Sequence, residues 1–271
     1  MIKHLYTLCT AGLILLATTT AHTQVLLNEL QASNSTTIAD PDLGEYSDWL
    51  ELYNPGPNPV NLSGWRLSDS GDNTEWTIPD GTTLPAGSFL VIWADGSGTG
   101  LHTSFSLSAD GEELTLYNAS GNEADHIAFD GQQTDKSFGR QTDGSDPWGY
   151  FARPTPGTSN TTSTFYTDYV RQEPVFSIPG GFYTSPVTVT IIDKYHAGTL
   201  RYTLDGAVPT DASPIFGQPF QITATTVVKA RMFYPDQLPG PVVTNTYFIN
   251  EGFEQRGLPV LSLSTNPEYF F

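Results

Sequence analysis

Apolar and polar residues alternate along most of this chain with a period of two, in short runs broken by Gly, Pro, Asn and Asp. DWLELYN (48–54) sets Trp, Leu and Tyr among charges as a half-buried strand does, and NPGPNP reverses the chain behind it. VLLNELQAS, WRLSDS, EWTIP, SFLVIWA, SFSLS, ELTLYN and DHIAFD repeat the pattern between residue 25 and about residue 151. No stretch keeps a 3.6-residue period, so closely spaced strands without intervening helices predict an antiparallel sandwich.

A second series begins after a break. Residues 159–173, SNTTSTFYTDYVRQE, lose the alternation and are rich in Ser and Thr, as a linker is. PVFSIPGGFY, PVTVTIID, TLRYTLDGAVPT, TTVVKARMF and VVTNTYFI then supply strands for one small sandwich over 174–250. The fold expected is all-β, two antiparallel sandwiches in tandem, over 24–158 and 174–250.

The first 23 residues follow another rule. Lys3 precedes the apolar run Leu13 to Ala17, and small residues stand near Thr20 and Ala21, the pattern of a secretory signal peptide cut near Ala21 or Thr23. The run is far shorter than the ~20 residues that span a bilayer, so no integral membrane segment is expected after cleavage. Cys9, the one cysteine, would leave with it, and the sandwiches must stand on apolar packing without disulfides.

The chain has 29 acidic and 11 basic residues, a formal net charge of −18, which argues against nucleic acid as a partner. Two readings of the acidity stand side by side: a solubilising surface, and carboxylates that hold Ca²⁺. For the second, Asp40, Asp42, Glu45 and Asp48 crowd into the turn-rich segment IADPDLGEYSD (38–48), without the D-x-D-x-D-G spacing of an EF-hand loop.

Two family resemblances bear on the strand series. NEL (28–30), DWLELYN (48–54), LSGWRLSD (62–69), WTIPDGTTLPAGSFLVIWA (76–94), FSLSADGEELTLYNASG (105–121), KSFGRQTDGS and TPGTSN (155–160) together resemble the lamin tail domain. That resemblance implies an immunoglobulin-like sandwich that holds or binds and has no common active site. YTLDGAVPT (202–210), between GGFYTSPVTVTI and TTVVKARMF, resembles the chitobiase/β-hexosaminidase C-terminal-type domain, a non-catalytic companion of secreted carbohydrate-active and surface proteins. GLPVLSLSTNPEYFF (257–271) resembles the opening strand of a CotH-type kinase-like domain. It implies that this chain is the N-terminal accessory part of a longer bacterial protein, with any kinase chemistry beyond Phe271.

Catalytic patterns are missing from the sequence: GSGTG (96–100) lacks the Lys-Ser/Thr ending of a phosphate loop, and no G-x-S-x-G, H-E-x-x-H or C-x-x-C occurs. His102, His126 and His196 are read as surface or strand-end residues. The five tryptophans, Trp49, Trp65, Trp76, Trp93 and Trp148, fit a core or a sugar-stacking platform. Tyr183 and Tyr195 stand where a loop or strand end meets a ligand or packs a rim. Asn34, Asn61, Asn118 and Asn160 each open an N-x-S/T triplet, read here as turn chemistry.

The function expected is a secreted or cell-surface pair of non-catalytic interaction and spacer modules facing an extracellular protein or polysaccharide. The alternative is an autonomous carbohydrate-binding protein that uses exposed aromatics and calcium.

Overall fold

In the computed structural model, residues 25–70, 75–194, 198–252 and 263 are described. The signal-like segment, Tyr195 and all of 257–271 except Leu263 lie outside them. The protein is all-β, built as two Ig-like sandwiches in tandem, and the one helical element among the described residues is a 3₁₀ turn at Asn160–Thr162.

The first sandwich begins with strand Leu26–Gln31, at the centre of a six-stranded antiparallel sheet. On one side lie Trp49–Tyr53 and then Phe89–Trp93; on the other lie Ser137–Thr142, Ser145–Phe151 and Phe165–Tyr166. Facing it is a four-stranded sheet ordered Trp76–Thr77, Arg66–Ser68, Gly111–Tyr117, Glu123–Asp130. Between them Leu27, Leu30, Leu50, Leu52 and Ile92 pack with Trp65, Leu67, Trp76, Leu114 and Leu116. Each such side chain contributes about 1.5–3 kcal/mol on burial. Arg140 ties the sheets by reaching across to both carboxylate oxygens of Asp125 while its Nε donates to the Leu27 carbonyl.

The strand expected to be half-buried is buried on both faces. Glu51 is fully buried, as are Asn28, Glu29 and Gln31 of the neighbouring strand, because the chain after Phe151 returns over this face. There Thr155 donates to Glu29, the Gly157 amide donates to Glu51 at 2.6 Å, and Asn160 bonds to Asn28. The polar positions of the alternation therefore meet protein where a simple sandwich would meet water.

The second sandwich is built on a four-stranded sheet ordered Gly181–Tyr183, Val243–Ile249, Thr226–Phe233, Thr199–Thr203. Its first pairing is parallel and the other two are antiparallel. Val189, Leu200, Ile222, Val228, Ala230, Met232 and Tyr247 form a separate core. Between the sandwiches, residues 165–170 pair with both: Phe165–Tyr166 extends the first sheet beside Tyr150 and Phe151, and Asp168–Tyr169 runs parallel to Gln237–Leu238. Val170 then enters the second core.

Candidate functional site

The Gly-rich run 96–100 forms a tight loop, and it assembles a site. Gly96, Gly98 and Gly100 all take positive φ (78°, 69° and 61°), a region that costs other residues energy, and the Gly98 amide donates to the Thr103 carbonyl. This turn returns the chain so that His102 lies beside Trp93 and faces Asp95. The acidic segment 38–48 closes over the pair.

Asp40 is completely buried in that segment. Its backbone amide donates to the Glu45 carbonyl, its carbonyl accepts from the Gly44 amide, and its Oδ1 accepts from the Asp42 amide at 2.8 Å. Its Oδ2 is buried without a hydrogen-bond partner and lies 3.7 Å from His102 Nδ1. His102 Nδ1 is 2.8 Å from Asp95 Oδ2, and Nε2 is 3.4 Å from Asp42 Oδ2. The imidazole is thus buried, at 4% exposure, and both ring nitrogens face carboxylates, which replaces the surface role read from the sequence.

Burial opposes a charge on His102, but the bonds to Asp95 and Asp42 and the charges of Asp95 and Asp40 outweigh it, and its pKa is raised. For Asp95, burial pulls the pKa up while the Ser97 amide and His102 pull harder, so it is lowered. Asp40, Asp95 and His102 present one ligand atom each, all within 4.8 Å of one another. A tetrahedral ion with bonds of about 2.0–2.1 Å needs ligand atoms about 3.3 Å apart, a spacing that the 2.8 and 3.7 Å distances bracket.

Of the four carboxylates marked in the sequence, Asp40 is in this cluster and Asp42 touches it through His102. Glu45 contributes its backbone carbonyl to the Asp40 amide. Asp48 turns away and accepts from the Asn34 amide; burial raises its pKa and that bond offsets part of the rise. Asp95 went unmarked, because a lone Asp seven residues before a lone His carries no signal until the three glycines are read as a turn that joins them.

Tyr183 packs at the rim of the second core, its ring 6.1 Å from Tyr247 and its hydroxyl donating to the Pro179 carbonyl. Trp49, Trp65, Trp76 and Trp93 are buried at 0–9% exposure, and Trp148 stacks on Phe138 with the Arg140 guanidinium 4.8 Å from its ring. The first four tryptophans thus serve packing, while half-buried Trp148 lines a cleft with Phe138 and Tyr150. Asn34, Asn61 and Asn118 accept from amides two or three residues ahead, as turn residues do.

The described residues thus form two Ig-like sandwiches in tandem, with Asp40, Asp95 and His102 gathered at one loop of the first. Residues 18–131 match the family model of the Lamin Tail Domain, and residues 178–244 match that of the Chitobiase/beta-hexosaminidase C-terminal domain. The two matches follow one another along the chain in this order. No curated protein matches it. Among the described residues no helix is long and apolar enough to cross a membrane.

Proposed function

We propose that the chain works as a secreted or cell-surface pair of non-catalytic modules that holds a neighbouring domain at a set distance from an extracellular protein or polysaccharide. The observation that carries this is the segment 165–170, which pairs with Ser145–Phe151 of the first sandwich through Phe165–Tyr166 and with Gln237–Leu238 of the second through Asp168–Tyr169. The side chains add to the junction. Tyr150 and Tyr169 meet edge to face at 4.9 Å, the Arg171 guanidinium lies 4.0 Å from the Tyr169 ring, and Gln133 donates to the Pro239 carbonyl. The resemblance of 257–271 to a CotH-type opening strand supports a kinase-like domain as the neighbour.

Fractionation of the native producer tests the location. The expected result is a processed protein, lacking its first 21–23 residues, in the medium or envelope, with no turnover of glycans by residues 25–252. Retention in the cytoplasm with an intact N-terminus contradicts it.

A second reading concerns the loop cluster, and the buried, unpartnered Asp40 Oδ2 favours it. We propose that Asp40, Asp95 and His102 hold a divalent cation, with a nitrogen in the donor set that suits zinc better than calcium. After chelation, zinc at about 100 times its Kd should stabilise the protein by about 2.7 kcal/mol, and Asp40→Asn should abolish the gain. An unchanged melting temperature in the parent protein rules the cation out.

A further inference from the structure

The outer face of the second sandwich carries an unusual juxtaposition. Arg201 and Arg231 are directly opposite in the ladder between Thr199–Thr203 and Thr226–Phe233, a placement in which like charges repel. Among the described residues neither is in an ion pair, although the chain has 29 carboxylates to 11 cations.

Their bonds go instead to backbone carbonyls. Arg201 Nη1 donates to Ser213 at 2.5 Å, and Arg231 donates through Nε to Gly240 and through Nη2 to Pro239. Arg201 Nε is buried with no partner. The carbonyls fix both forks and leave donors over. Burial lowers the pKa of Arg231, as expected of a guanidinium without a counter-ion, and Tyr166 offsets part of this.

Both guanidiniums line a cleft of about 480 Å³, and each lies 5.9 Å from the Phe233 ring. Tyr166, from the segment between the sandwiches, and Tyr234 add further rings; Thr199, Thr210 and Gln237 add hydroxyl and amide groups. Exposed Asp211 and Asp236 also line the cleft, without reaching either arginine.

We propose that this cleft binds a sugar acid, its carboxylate held between Arg201 and Arg231 and its ring set against Phe233. Two planar forks suit a carboxylate, which each can engage with paired donors. Asp211 and Asp236 accept hydrogen bonds from sugar hydroxyls and repel a second anion nearby, so one charge per hydroxyl-rich ring fits where a run of acidic peptide does not. This site is separate from the loop cluster and stands whether or not the modules act as a spacer.

The test is calorimetric titration of the full chain in EDTA, so that no divalent ion bridges two acidic surfaces, with a galacturonate oligomer, cellohexaose and an oligo-aspartate peptide. Only the galacturonate oligomer should bind saturably, and more weakly as salt rises. Arg201→Gln and Arg231→Gln should each weaken it by about ten- to a hundredfold, the worth of a charged hydrogen bond, and Arg201→Lys should recover only part. Cellohexaose or oligo-aspartate binding as tightly, no binding at all, or native-like variants that bind as the parent does would each overturn the proposal. Should a variant lose its near-ultraviolet dichroism, the arginine Nε–H resonances of the parent decide: ligand-dependent shifts at Arg201 and Arg231 support the site, and unmoved resonances refute it.

Discussion

Glu29 and Glu51 are carboxyl groups buried beside each other on adjacent strands without a cation. Burial raises Glu29 to about 7 against the bonds from Ser137 and Thr155, and raises Glu51 to about 8 against the bond from Asn28, with the Glu29 charge adding to the rise. Both ordinarily titrate at 4.5, so the folded state holds more protons than the unfolded state between 4.5 and 7–8. Their contribution is therefore full below pH 4.5 and is lost as pH rises through 7 and 8, a change on the order of a few kcal/mol. Asp95 and Asp135 have lowered pKa values and act in the opposite sense, losing their contribution in acid. Melting temperature followed from pH 3 to 9 should peak near pH 5 and fall toward pH 8, with a shallower fall in Glu51→Gln. Stability that rises from pH 5 to pH 8 would refute the assignment. Sequence could not reveal this pair, because a Glu inside an alternating strand reads as solvent-facing until the covering segment is known.

At the scale of elements, the strand series was legible because each run alternates and ends in its own turn chemistry, and the 96–100 loop was legible from its glycines. The cover formed by 155–160 was not, since TPGTSN is polar and has no period. What holds it is specific bonding. Asn160 is fully buried; its Nδ2 donates to the Arg140 carbonyl at 2.7 Å and to Asn28, and its Oδ1 accepts from Asn28 and Thr155. Gly139 lies beneath, where a Cβ would come within 2.9 Å of the Asn28 carbonyl and 3.0 Å of Asn160 Nδ2. Asn160→Ala leaves several of these groups buried and unpaired and should cost about 2–4 kcal/mol in urea unfolding. A cost below about 1 kcal/mol would show that water replaces the side chain. For the ion cluster, sequence supplied Asp40 and Asp42, while Asp95 and His102 needed the loop to be closed in three dimensions.

For the whole molecule, the sequence announced two sandwiches and a Ser/Thr-rich stretch between them, whose side chains say nothing of the backbone pairing at 165–166 and 168–169. Short strands of two residues lack the length for alternation to show, so the pairing at the junction was invisible. A spacer acts by holding distance, and the distance between the two modules is what most directly tests the account. Spin labels on Ser120→Cys and Ala224→Cys, both at exposed positions, would report it by pulsed dipolar spectroscopy of residues 25–252. A single narrow distance distribution is the expected result, broadening when a Gly-Ser insertion after Ser163 uncouples the strand Phe165–Tyr166 from its neighbour. A broad distribution in the parent protein, unchanged by the insertion, would mean that the modules swing independently and that the chain is a flexible tether.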